Sequence, residues 1–195
     1  MVNGKVSDKI LRNRYVFSSL FAALIAVSNF FIIPLPGGIP IVLKNLFVVL
    51  SGTILGGFYG SIAIIIFIAA GLIGIPIFVI PGGPGVFLTP LGGYIIGYFI
   101  ASLCSGIICG LPKVNEKKLR PLFFLRLCIA SFSGFALILI CGALYMMRLN
   151  SLSFKAAVIA GVFPYIIYDS IKLIISIPLA LKLRPAAARF LNTGG

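Results

Sequence analysis

The sequence predicts an all-α integral membrane protein, a bundle of six transmembrane helices with both termini in the cytoplasm. Hydrophobic residues make up 61% of the 195-residue chain and charged residues 10%, whereas soluble domains are about 45–50% apolar and about 25% charged. The apolar residues gather into runs long enough to cross a bilayer. Because lipid offers no partner for backbone N–H and C=O groups, each span is expected to be helical. Residues 1–195 are therefore expected to form a single transmembrane domain.

The expected spans are the apolar runs between Pro-, Gly- or charge-rich segments. They cover residues 15–33, 41–56, 59–80, 87–111, 122–147 and 156–181. The first run is too long for a signal-peptide core and no small-residue cleavage site follows it, so we expect it to remain as a span. Two intervening loops, PLPGGIP and PGGPG, are rich in Pro and Gly. This composition is typical of tight turns, and it also suits a pair of plugs over an outward-facing cavity.

The net charge of +13 is concentrated in three basic clusters that set the predicted topology. The clusters comprise Lys5, Lys9, Arg12 and Arg14; Lys113, Lys117, Lys118 and Arg120; and Lys182, Arg184 and Arg189. Positive residues flanking apolar spans mark the cytoplasmic side, and six crossings place all three clusters there. These clusters also attract anionic membrane lipid. No aromatic residues are interleaved with them as in nucleic-acid-binding surfaces, so no nucleic-acid partner is expected.

Several function classes are disfavoured by residues that the sequence lacks. It contains no His, no clustered carboxylates and no nucleophile with an evident base partner, so an enzyme is not expected. Cys104 and Cys109 are not at a zinc-binding spacing, and no metal or cofactor is expected. No GxxxxGK[ST] motif occurs. Uphill transport would need energy from another chain or from an ion gradient.

The last apolar run contains an acidic and a basic residue, Asp169 and Lys172, within YDSIKLIIS. Their i, i+3 spacing places them on one face of a helix. Ionisable groups in spans are costly and typically form ligand or ion sites. The alternative is that the pair forms a purely structural internal salt bridge. In that case the chain would be a structural or assembly protein.

Further polar residues begin the second and fourth predicted spans. Lys44 and Asn45 follow the PLPGGIP loop, and Thr89 and Tyr94 follow PGGPG. Together with Asp169 and Lys172 they provide an acceptor, ammonium donors, an amide and hydroxyls beside apolar walls. Such a set suits a small amphiphilic anion with hydrogen-bonding groups.

Small residues recur at four-residue spacing, which permits close approach of helices in membranes. The pairs are Ala22 with Ala26, Gly56 with Gly60, and Gly93 with Gly97. They are consistent with packing inside this chain or with docking of a helix from a partner.

Five stretches between about residues 17 and 184 form a specific combination in this order: SLFAALIAV, IPLPGGIPIVLKNLFVVLSGTILGG, AAGLIGIPIF, PGGPGVFLTPLGGYIIGY and GVFPYIIYDSIKLIISIPLA. With them the chain resembles the BioY family, the biotin-binding membrane subunits (S components) of energy-coupling factor (ECF) transporters. The chain departs from the family pattern at Lys44-Asn45, where a Gln-Thr pair is usual, and at Leu91, where a Thr precedes GGY.

The resemblance implies a six-helix subunit that captures biotin outside a bacterial cell and spans its plasma membrane. Import would be driven by an ECF transmembrane coupling subunit and two cytoplasmic ATPases. It also implies that Ala22 and Ala26 contact the partner subunit. The residues expected to bind substrate are Lys44, Asn45, Thr89, Gly93, Tyr94, Asp169 and Lys172. Because Lys44, Asn45 and Leu91 differ from the pattern, another small vitamin or precursor is the alternative substrate.

Overall fold

A computed structural model of the protein describes residues 2–33, 41–78, 83–114 and 121–192. The helices are α1 (Val2–Ser28), α2 (Lys44–Leu55), α3 (Gly57–Leu72), α4 (Leu91–Cys109), α5 (Pro121–Leu149), α6 (Phe154–Gly161) and α7 (Phe163–Asn192). A 3-10 helix over Pro84–Leu88 precedes α4. Each expected span thus has a helical counterpart, and the sixth is divided between α6 and α7. The PLPGGIP loop, part of PGGPG and most of the basic loop 112–121 lie outside the described residues.

The expected first and second spans each include residues that are not helical. Helix α1 ends at Ser28, and Ile32–Ile33 (β1) pairs in antiparallel fashion with Ile41–Val42 (β2). The expectation of continuous helix over 15–33 and 41–56 was therefore wrong at these ends. β-branched residues favour extended backbone, and pairing satisfies the N–H and C=O groups that would otherwise be left open.

The third expected span, 59–80, ends earlier, at Leu72. Gly74 adopts a φ of 99°, a conformation that favours glycine, and Pro76 disfavours helical geometry at the residue before it. The chain then turns back, so that the Phe78 ring packs directly on Gly71. The absent side chain of Gly71 provides the space for that ring.

The sixth expected span is broken at Val162, where the axes of α6 and α7 differ by 48°. Ser153 caps the start of α6 by accepting a 3.3 Å hydrogen bond from the Ala156 N–H. Pro164, early in α7, lacks the N–H that a continuous helix would use. Helix α7 then continues to Asn192, beyond the expected end at 181.

Glycines allow the helices to approach closely, as the spacing of small residues predicted. A Cβ on Gly60 would lie 2.8 Å from Gly52 Cα, where α3 crosses α2. A Cβ on Gly97 would lie 3.1 Å from Ile138 Cα in α5. Gly56 has a φ of 85° and separates α2 from α3. These glycines pack within the chain.

Arg184 is fully buried rather than exposed at the cytoplasmic surface as the basic cluster implied. Its guanidinium donates to the carbonyl of Thr53 near the end of α2 and to the carbonyls of Cys109, Gly110 and Leu111 at the end of α4, the latter at 3.3–3.4 Å. The group also lies 5.4 Å from the centre of the Phe123 ring in α5. Because the last carbonyls of a helix have no partner within the helix, one side chain from α7 satisfies the ends of two helices.

By length and composition, three helical segments are able to cross a membrane on their own: Asp8–Ser28, Leu91–Cys109 and Pro121–Leu149. The bent pair α6–α7 passes the same test together. Helices α2 and α3 are apolar but shorter, about 18 Å and 24 Å at 1.5 Å per residue. The described helices therefore support a membrane protein, while the count of six spans stays a prediction.

Candidate functional site

A buried ionic centre lies on α7, where Asp169 and Lys172 meet. Lys172 Nζ donates to Asp169 Oδ1 at 2.7 Å, and the two residues are only 5% and 3% exposed. Asn45 Nδ2, from the first turn of α2, reaches Asp169 Oδ2 at 3.2 Å and Oδ1 at 3.4 Å. The sequence predicted that these three residues act together, and the structure brings them into contact.

Lys44 is buried beside this centre but points to different partners. Its ammonium donates to Asn29 Oδ1 at 3.1 Å. It also lies 5.2 Å from the centre of the Tyr98 ring and 5.8 Å from that of Phe67, distances at which a cation is attracted to an aromatic face. Lys44 and Asn45, adjacent at the start of α2, thus contact different neighbours. Lys44 contacts Asn29 and the two rings, whereas Asn45 contacts Asp169.

Tyr94 joins α4 to the break between α6 and α7. Its hydroxyl donates to the Gly161 carbonyl at 2.7 Å, and its ring lies 6.0 Å from that of Tyr165. Tyr98 follows Tyr94 by one turn of α4 and lies 5.2 Å from the Lys44 ammonium, and Tyr165 precedes Asp169 by one turn of α7. The ionic centre is therefore bordered by aromatic rings from α4 and α7.

Two further residues expected at the site contact other parts of the chain instead. Thr89 Oγ1 donates to the Val86 carbonyl at 2.7 Å, within the turn that precedes α4. Gly93 packs against α5, where a Cβ would meet the Cys141 carbonyl at 2.8 Å. The structure does not bring Thr89 or Gly93 into contact with Asp169, and their part in binding stays a prediction.

The two alanines predicted to contact a partner subunit differ in exposure. Ala22 is 4% exposed and belongs to the hydrophobic core. Ala26 is half-buried and packs against that core. Of the two alternatives drawn from their spacing, packing inside the chain describes Ala22 in this structure.

Sequence reasoning missed Asn29, Tyr98 and Tyr165 as neighbours of the site. Two of them carried a signal in their spacing, because Tyr98 follows Tyr94 by one helical turn and Tyr165 precedes Asp169 by one turn. Asn29 is a polar residue at the end of an apolar run. Its contact with Lys44 is visible only in the structure, where the pairing of β1 with β2 brings the end of α1 beside the start of α2.

Comparisons with known proteins agree with one another on the family. A profile of the BioY family matches residues 5–189. A "Biotin transporter BioY" of Thermotoga maritima is 30% identical over 173 residues, which is 86% of this chain and 93% of that protein. A "Probable biotin transporter BioY" of Pyrococcus horikoshii is 32% identical over 167 residues, which is 85% and 93% of the two chains.

One solved structure has the same arrangement of helices. It is a crystal structure of the S-component for biotin from an ECF-type ABC transporter, with 27% sequence identity and a TM-score of 0.75. The match covers 88% of this chain and 90% of the other. These matches are to transport proteins and not to enzymes.

Proposed function

Because the chain belongs to the BioY family, we propose that it is the substrate-capturing subunit of a vitamin importer and that it binds biotin. The observation that carries the proposal is the buried contact of Asp169 with Lys172 and Asn45. Removing charged groups from solvent is costly, and in membrane spans such groups typically serve a ligand.

Asp169 retains capacity to accept hydrogen bonds from a ligand. A carboxylate has about four lone-pair sites, and Lys172 and Asn45 supply the three contacts described above. An acceptor position on Oδ2 therefore suits a ureido N–H of biotin, and the Lys172 ammonium suits the ureido oxygen. The rings of Tyr94 and Tyr165 provide an apolar wall for the thioether ring.

The proposed topology has six spans in one transmembrane domain, with both termini in the cytoplasm of a bacterial cell. Contacts between the ends of the chain support it. Asn13 Nδ2 donates to the Phe190 carbonyl at 3.0 Å, and Arg14 Nε donates to the Leu191 carbonyl at 3.0 Å. This contact between the first half of α1 and the end of α7 supports placing both on one side of the membrane, as an even number of crossings would do.

The proposed partners are an ECF transmembrane coupling subunit and two cytoplasmic ATPases. The sequence has no nucleotide-binding loop, so energy for import would come from those chains. The positive flanks of the spans suit anionic lipid headgroups of a plasma membrane.

Binding of labelled biotin to the purified chain tests the proposal. We expect saturable binding at nanomolar to micromolar concentrations. Competition with a panel of vitamins tests the alternative substrate, which the departures at Lys44, Asn45 and Leu91 motivate. Absence of saturable binding, or displacement by another vitamin at far lower concentration than biotin itself, contradicts the assignment.

A further inference from the structure

The Lys44 ammonium is a buried positive charge that forms no salt bridge with a carboxylate in the described parts of the chain. Lys44 is 4% exposed, and its described contacts are the neutral Asn29 amide and two aromatic rings. An amide oxygen and ring faces compensate only part of the cost of burying an ammonium group. The site therefore favours an anion from elsewhere.

The chain has few carboxylates that could supply this anion. The acidic side chains are those of Asp8, Glu116 and Asp169. Asp169 is engaged by Lys172 and Asn45. Asp8 is 21 residues before Asn29, about 30 Å away along a helix, and Glu116 lies outside the described residues, in the loop that follows α4.

The charges around Asp169 do not balance. Lys44 is adjacent to Asn45, whose amide contacts Asp169 at 3.2 Å, so the two charged groups lie in one neighbourhood at the start of α2. Two ammonium groups and one carboxylate leave one positive charge in excess. Helix α2 also begins at Lys44 with no side-chain cap on its N-terminal N–H groups, and the positive end of its dipole adds to the preference for an anion.

We propose that Lys44 is the counter-ion of a ligand carboxylate, so that the site selects monoanions over their uncharged analogues. This inference rests on the proposed function, because it assigns the two ends of biotin to two parts of one site. The ureido group binds at Asp169. The carboxylate of the biotin side chain binds the Lys44 ammonium, beside the rings of Tyr98 and Phe67.

The test compares biotin with biotinamide, in which an uncharged carboxamide replaces the carboxylate. Both are measured by competition against labelled biotin on the purified full chain. The unsubstituted protein should bind biotin about 10- to 100-fold more tightly than biotinamide, as expected for the loss of one charge-assisted hydrogen bond. This comparison depends on no variant being folded.

Lys44→Gln then tests whether the preference for biotin over biotinamide depends on Lys44. It should weaken biotin binding by a similar factor and biotinamide binding much less, whereas Lys44→Arg should retain the preference for the acid. Lys172→Gln, in the other part of the site, should weaken both ligands together. Arg126→Gln, on the exposed side of α5, is the matched control for removing a positive charge and should change neither.

The outcomes separate the two proposals. Equal affinity of the unsubstituted protein for biotin and biotinamide overturns the role of Lys44 and leaves biotin binding intact. Equal losses of both ligands in Lys44→Gln also overturn it, and make Lys44 a structural residue. If the unsubstituted protein binds neither compound, the proposed function itself fails.

Discussion

At the scale of single residues, the site is defined by polar groups that have been removed from solvent and bonded to one another. Asp169 is the acceptor on which Lys172 and Asn45 converge. The sequence alone left two interpretations of this acid, a ligand group or half of a structural ion pair. The contact with Asn45 ties α2 to α7 in either case, so a substitution has to distinguish them.

Asp169→Asn is expected to weaken biotin binding by about 10- to 100-fold while folded protein is still recovered. The reason is that a neutral amide oxygen accepts less strongly than a carboxylate, and hydrogen bonds to charged groups contribute about 1.5–3 kcal/mol. Size-exclusion chromatography measures folded protein, and a binding titration measures affinity. Unchanged affinity together with a loss of folded protein would favour the purely structural ion pair.

Tyr94→Phe tests the hydrogen bond to the break between α6 and α7. It leaves the Gly161 carbonyl without its 2.7 Å partner, and a buried unsatisfied group costs about 1–3 kcal/mol. We expect a lower unfolding temperature in detergent. Tyr165→Phe is the control, because the described residues give the Tyr165 hydroxyl no hydrogen bond. Equal destabilisation by both changes would contradict the assignment.

At the scale of elements, the long apolar runs predicted which segments are helical but not where the helices end. The ends depend on contacts between distant segments, such as the pairing of Ile32 with Val42 and the packing of Phe78 on Gly71. Contacts between distant segments also determine which residues of the site could be predicted. Asp169 and Lys172 were predictable from their spacing within one helix, whereas the partnership of Lys44 with Asn29 depends on how α1 meets α2.

Arg184 shows how a charge that resembles a topology signal can have a structural role. Arg184→Met is expected to lower the yield of folded protein and its unfolding temperature, because the carbonyls at the ends of α2 and α4 lose their donor. Arg184→Lys should recover part of the lost stability, because an ammonium still donates to these carbonyls. The recovery should be incomplete, because an ammonium has fewer donors than a guanidinium. Thermal unfolding measures both, with Arg126→Met, at an exposed position, as the control. An unfolding temperature equal to that of the control would show that the buried contacts contribute little.

At the scale of the whole molecule, α1 packs in the helix bundle and is also proposed to contact a coupling subunit. Ala22→Trp is expected to reduce folding and ligand binding, because the position is 4% exposed and overpacking a core is destabilising. Ala26→Trp, at a half-buried position, is expected to leave ligand binding in place and to block assembly. Co-purification with the coupling subunit and ATPases, beside a biotin titration, measures both. Assembly that proceeds normally in Ala26→Trp would remove this residue from the contact.

The shortness of α2 has a consequence for how the chain enters the membrane. A stable span needs about 20 apolar residues, and α2 has 12, beginning with Lys44 and Asn45. Such a segment gains too little from lipid alone to offset a charge near its end. Only Gly56 separates α2 from α3, and Gly60 packs directly on Gly52. During synthesis, α2 and α3 are therefore expected to enter the bilayer together as a helical pair, and of the described partners of the Lys44 ammonium this pair supplies the Phe67 ring.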